Sequence, residues 1–344
     1  MTTIINGSSP SITFSDGSAQ TSATRPFLNR IINGGMDIAQ RGTSFTSGAN
    51  NDDAYVLDRF YILSDGNDVI DVTQTTTVPT GAKFSIGLDV ETVNKKFGIA
   101  QIIENANCFD AIGGAVTLSF QAKVSSLTNL DNVKCAIVAW SGTADSVTSD
   151  IISAWGVEGT NPTLIANATY ENTPVNLNVT TSFATYSVTA TVDTASAANI
   201  ILFIWSDVTT TSLGEFLYIT NVQLEKGSTA TSFDYRSIGT ELALCQRYFQ
   251  IAPITYGAAI NTTTLGTCYD YPVVMRAVPT LALLTSTPYA EIPITTGFTA
   301  SGATVAGYSY AGGTGLTVTG FTGFTSGRAP ILLDNNQVSV SAEL

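Results

Sequence analysis

The chain contains no histidine in 344 residues. That absence removes Ser-His-Asp and Cys-His nucleophilic catalysis, and with them histidine-ligated zinc. Charge is scarce as well: 12% of residues are charged, about half the usual share of a globular protein. The shortage falls on the basic side, with 14 Lys and Arg against 27 Asp and Glu and a net charge of −13. The densest basic run is Lys95-Lys96. No cation cluster exists to displace phosphate counterions, so nucleic acid is excluded as a partner. The same acidity argues against docking on anionic membranes by charge. The 4 cysteines, Cys108, Cys135, Cys245 and Cys268, are too few and too scattered for a disulfide framework and read as reduced. No apolar run approaches the roughly 18 residues of a membrane span, and the N-terminus lacks the basic and apolar regions of a signal peptide. No phosphate-binding loop occurs, since Gly312-Gly313-Thr314-Gly315 lacks the lysine and reads as a turn.

What is present is β-forming. Hydrophobic residues reach 44%, and Ser, Thr, Asn and Gly fill the place of charges, which suits strands joined by tight turns. Such a composition resembles an extracellular protein, yet no export signal precedes it. A virion component, made in the host cytoplasm and working outside after lysis, meets both conditions.

The pattern predicts an all-β chain: a jelly-roll β-sandwich followed by a smaller C-terminal β domain, with a short N-terminal attachment strand. Residues 1–26 form a leader in which Ser11-Ile12-Thr13-Phe14-Ser15 alternates before an Asp16-Gly17 turn. One short strand cannot bury itself, so the leader is expected to attach to a neighbour. Residues 27–237 form the sandwich, with strands expected at 56–63, 82–89, 98–104, 114–124, 133–140, 184–191, 199–206 and 215–225. Residues 238–250 read as a linker helix, with Thr240 at its cap and Glu241 in its first turn. Residues 251–344 form the C-terminal domain, the trimerisation and receptor-facing tip. After Arg276 its formal charges are Glu291, Arg328, Asp334 and Glu343. Such a charge-poor surface is sticky on a lone monomer and suits packing about a symmetry axis, so a homotrimer is expected.

Several motifs carry a resemblance. The segment from Phe27 to Gly42, with Asn33-Gly34-Gly35-Met36-Asp37-Ile38-Ala39-Gln40-Arg41, resembles the opening of a carbohydrate-binding-like jelly roll found in phage tail fibres, including marine and cyanophage types. Asp58-Arg59-Phe60 is similar to its Asp-Arg-Trp, with Phe in place of Trp. Val116–Lys123 resembles its central strand, Val222–Gly227 its closing strand, and Ala230-Thr231-Ser232-Phe233-Asp234-Tyr235-Arg236 its exit. Glu241–Phe249 resembles the junction that follows, while Tyr271–Thr280 and Ala342-Glu343-Leu344 look like the C-terminal domain. The resemblance implies a tail fibre subunit that adheres to host-surface glycans by multivalent binding, without enzymatic activity. A capsid head fibre, decoration protein or adaptor is the alternative, and a polysaccharide-depolymerising tailspike the more remote one. It also implies, as the sole cofactor, a structural calcium held by Asn33, Asp58 and Glu225, although no EF-hand spacing supports one.

Sugar binding needs an aromatic face and neighbouring polar groups. Trp140 and Trp205 end apolar runs and read as core. Trp155, beside Gly156 in a loop-like stretch, is the candidate platform, joined by Tyr308 and Tyr310 in the distal domain. Glycosidic cleavage would need two carboxylates. Asp58, Asp89, Glu91, Glu104 and Glu225 are the candidates inside the sandwich, with turn and surface roles as the simpler reading. Glu225 could instead pair with Arg59 or Arg236.

Overall fold

The computed structural model describes residues 4–6, 11–13, 19–20, 27–253, 255–285, 287–292, 296–333 and 338–344. The body is a jelly-roll sandwich of two antiparallel sheets, its strands numbered along the chain. One sheet runs, in spatial order, β8 (Ala168–Tyr170), β7 (Val133–Trp140), β10 (Asn199–Ser206), β5 (Phe97–Ile103) and β2 (Tyr61–Ser64). The other runs β9 (Ala184–Thr191), β6 (Ala115–Val124), β11 (Phe216–Lys226), β4 (Ser85–Val90), β3 (Ile70–Thr75) and β1 (Ser44–Phe45). The strands at 133–140, 184–191 and 199–206 fall at the expected bounds.

Between the sheets, alternate side chains interdigitate. Val116, Leu118, Phe120 and Ala122 of β6 meet Cys135, Ile137 and Ala139 of β7 in one apolar cluster. The five-stranded sheet is buried on its other face too. Tyr61, Ile102, Val138, Phe203 and Trp205 pack there under Val147, Ile151 and Trp155 from the 141–167 excursion, and against Leu344. That double cover explains why Ile201-Leu202-Phe203-Ile204-Trp205 is apolar without alternation. By contrast β9 alternates half-buried and exposed residues along most of its length, with hydroxyls of Thr185, Ser187 and Thr189 on the open side.

The helix Ile238–Gln246 closes the sandwich rather than standing clear of it. Cys245 and, just beyond the helix, Tyr248 pack on Ile32 and Ile38. Arg236 pairs with Glu241 at 3.1 Å, and Arg247 with Glu104 at 2.8 Å. The opening turn depends on Gly34, where a Cβ would run into the Val222 carbonyl.

Beyond the helix come β12 (Phe249–Ile251), β13 (Thr255–Ala259), β14 (Leu265–Asp270), β15 (Thr280–Leu283), β16 (Tyr289–Ile292), β17 (Thr296–Thr299), β18 (Val305–Tyr310), β19 (Gly313–Val318), β20 (Ile331–Leu333) and β21 (Val338–Ser341). They form a three-stranded sheet β12-β21-β15 and a seven-stranded sheet β17-β16-β20-β13-β14-β19-β18. Leu265, Met275, Leu316, Phe321 and Val340 lie in their shared core. In the leader, Ser11–Thr13 pairs with Ile4–Asn6 and Ala19–Gln20. The expected strand therefore finds partners within the leader itself, while the Asp16-Gly17 turn lies outside the described residues.

Candidate functional site

The expected platform is not one. Trp155 is 8% exposed and packs edge-on against Phe203 at 5.9 Å. It covers the apolar outer face of the five-stranded sheet, so its ring is spent on the core. Trp140 and Trp205 are core residues, as their runs implied. Tyr310 is 56% exposed, its ring lying along the backbone of Gly313. Tyr308 is on β18, and its side chain lies outside the described part of the structure.

The candidate carboxylates are mostly committed. Asp58 is fully buried, accepting from the Gln40 N–H and from Gln40 Nε2, each at 2.6 Å. Glu104 accepts from Arg247 and from the Tyr248 hydroxyl at 2.9 Å. Glu225 accepts from the Thr231 N–H at 2.7 Å and its hydroxyl at 2.9 Å, so it pairs with neither Arg59 nor Arg236. The oxygens of the expected calcium set are engaged in the same way. Asn33 Oδ1 accepts from the Ile38 N–H, and its Nδ2 donates to the carbonyls of Ile38 and Asp58. Each of these oxygens accepts from N–H or O–H groups, and no cluster of three or more His, Cys, Asp or Glu side chains that could hold a metal occurs among the described residues.

Many of the recognisable motifs converge on the junction of the two β domains. Arg59, with φ +71° in the left-handed region, is buried and pairs with Glu343. Its guanidinium also donates to the Ile102 carbonyl and lies 3.7 Å from the Tyr248 ring centre. Arg41 stacks on Phe249 at 3.6 Å and pairs with the same Glu343 at 2.9 Å. Arg276 donates to the Ala342 carbonyl, and the Tyr55 hydroxyl to that of Leu344, both at 2.6 Å. Asp58-Arg59, Gln40-Arg41 and Ala342-Glu343-Leu344 are thus parts of one latch.

The open chemistry lies on the outer face of the six-stranded sheet. A groove of about 360 Å³ runs there between Thr80–Gly81 and the exit segment Thr231–Tyr235, over Ser119, Gln121, Thr185 and Asn221. A bulge in β11 between Thr220 and Gln223 makes its floor. The extra residue puts Asn221 in the left-handed conformation, φ +51°, with Nδ2 donating to Gln121 Oε1 at 2.7 Å. Buried Gln223 and Glu225 hold the exit segment down, Gln223 Oε1 accepting from the Asp234 N–H at 2.8 Å. This presents Phe233 and Tyr235 as one wall, their rings edge to face at 4.7 Å. Tyr235 is 57% exposed, and its hydroxyl donates to the Gly81 carbonyl at 2.7 Å. Gln121 Nε2 and the hydroxyls of Ser119 and Thr185 make no hydrogen bond among the described residues. None of the five candidate carboxylates lines this groove. The sequence did carry a signal for it, the alternation Phe233-Asp234-Tyr235 just after the closing strand, but that reads equally well as a domain exit.

No protein-family model matches the sequence, and no curated protein matches it. Solved structures resemble it in part. One is the enzymatically active domain of tailspike protein 4 from Bacteriophage CBA120: 18% identity, TM-score 0.36, covering 59% of this chain and 22% of that one. The chain therefore spans only 22% of that protein's length. Another is the CBM22-1 xylan-binding domain of Paenibacillus barcinonensis Xyn10C: 11% identity, TM-score 0.33, covering 60% of this chain and 100% of that one. A third is from carbohydrate-binding modules of the β-sandwich superfamily: 12% identity, TM-score 0.35, covering 62% of this chain and 71% of that one. No residue role is carried over from them.

Proposed function

We propose that the chain is a non-catalytic, glycan-binding fibre subunit of a phage virion, a tail fibre homotrimer that adheres to the host surface. The observation that carries this reading is the groove over the six-stranded sheet. It combines an aromatic wall with unspent amide and hydroxyl groups, which is what a pyranose ring requires. The buried carboxylates support binding without hydrolysis, since Asp58, Glu104 and Glu225 are locked in structural hydrogen bonds. The charge-poor C-terminal domain, with Tyr256 at 77% and Val278 at 65% exposure, supports assembly with sister copies. Weak single contacts then gain avidity when several grooves meet one cell surface.

The test uses immobilised host polysaccharide and the full chain. Binding should weaken by about tenfold or more in Tyr235→Ala, the loss expected for one stacking aromatic, with the melting temperature held and no reducing ends released. A wild-type protein that binds no glycan, or a Tyr235→Ala variant that binds as well, overturns the assignment of the groove. Sedimentation as a monomer overturns the trimer.

A further inference from the structure

The lysines of this acidic chain are nearly all accounted for. Lys95 pairs with Asp65, Lys96 and Lys134 both pair with Asp207, and Lys226 donates to the Asp110 carbonyl. Lys83 lies near enough to Asp37 to pull on its carboxyl. Lys123, like Lys83 and Lys226, makes no ion pair among the described residues, and unlike Lys226 it donates no hydrogen bond there either. Its ammonium instead lies 5.3 Å from the centre of Phe183 and 5.0 Å from that of Tyr218. Two rings immobilise an ammonium without neutralising it, so its attraction for an anion is kept.

The position of this cation matters. Lys123 follows Gln121 by two residues on β6, so both project from the same face. It therefore stands one step along that face from Gln121 of the groove floor, just outside the groove's lining and opposite Tyr218 in the β6–β11 register. One step further along the face, Asp71 and Asp89 are cross-strand partners on β3 and β4, with Phe216 opposite Asp89. Burial, Glu91 and Asp71 push the Asp89 carboxyl up to about 6, and no lysine contributes to relieve it. An anion sliding along the floor meets an attractive charge first and a carboxylate fence beyond.

We infer that Lys123 is the anion subsite of the groove, so that the glycan is acidic and its sugar carboxylate meets this ammonium. The inference rests on the groove being the glycan site and narrows its ligand from saccharides in general to acidic ones. Gln121 and Asn221 then hold the neighbouring ring's hydroxyls, with Tyr235 stacked on it.

An array carrying acidic oligosaccharides, each printed beside its carboxyl-reduced neutral form, tests this with the full chain. The acidic member of each bound pair should bind about tenfold tighter or more, in keeping with a hydrogen bond to a charged group. Lys123→Gln should erase that difference, and Lys123→Arg should keep it. Equal binding of acidic and neutral members, or a preference that survives in Lys123→Gln, overturns the inference. Neutral binding that depends on Tyr235 would leave the groove standing while this narrower claim fell. Binding to nothing on the array would sink both.

Discussion

Asp53 shows how much a single carboxyl can set the response to pH in a chain without histidine. It adopts the left-handed conformation, φ +65°, beside Asp52 and Asp150, and one of its oxygens is buried without a partner. Burial first, then the two neighbouring carboxylates, push it from the ordinary 3.8 to about 7. The folded state therefore holds this proton more tightly than the unfolded chain does. Between those two values stability falls as pH rises, and above about 7 the contribution is fully lost. Asp53→Asn removes the charge and also suits the left-handed backbone. Its melting temperature should exceed that of the wild type at pH 8, and most of that advantage should disappear by pH 4. A constant offset across that range would show that backbone conformation, and not ionisation, is responsible.

At the scale of elements, alternation marked strands with one wet face, and apolar runs marked those at 133–140 and 199–206. The alternation of Thr185-Tyr186-Ser187-Val188 marks β9 to its ends because a half-buried strand must write its two faces into the sequence. Ile70–Thr75 escaped because Gln74 follows Ile70 and Val72 on the inward face and cuts the apolar alternation to two residues. Trp155 misled for a different reason: Gly156 and Gly159 just after it suggest an open loop, yet that loop is the lid of the five-stranded sheet. Lys96 fastens it there, donating to the carbonyls of Val157 at 2.8 Å and Thr160 at 3.1 Å while paired with Asp207. No local pattern announces a cover that comes from a distant segment. The groove was half legible. Its hydroxyl face follows from β6 and β9, but its aromatic wall depends on how Gln223 and Glu225 fold the exit segment back. Close packing under the lid gives a sharp prediction at Gly98, which pairs with Trp205 across β5 and β10. A Cβ there would meet the Ile204 carbonyl and come within 2.6 Å of Trp205 Cβ. Gly98→Ala should cost about 1–3 kcal/mol, the usual toll of overpacking. Urea unfolding reads it directly, and an unchanged midpoint would mean the sheet is looser than this geometry requires.

For the whole molecule, the decisive feature is that two β domains share one electrostatic knot. Glu343, near the end of the C-terminal domain, faces Arg41 and Arg59 of the sandwich, with side-chain exposures of 7%, 11% and 1%. Buried pairs of this kind contribute little net stability against an apolar alternative, but losing one partner strands the others in low dielectric. Glu343→Ala would leave the Arg59 guanidinium buried without a carboxylate and Arg41 with only Asp58, at 3.9 Å, a loss of about 3–5 kcal/mol. The damage should not be spread evenly. The sandwich keeps its own inter-sheet core and the C-terminal domain keeps the cluster around Phe321 and Val340. What disappears is the coupling between them. Calorimetry should then show the single transition of the wild type dividing into two, with the C-terminal domain melting first because its core is smaller. If Glu343→Ala melts in one transition at an unchanged temperature, the knot is a by-product of packing, and the two domains are joined by their apolar contacts alone.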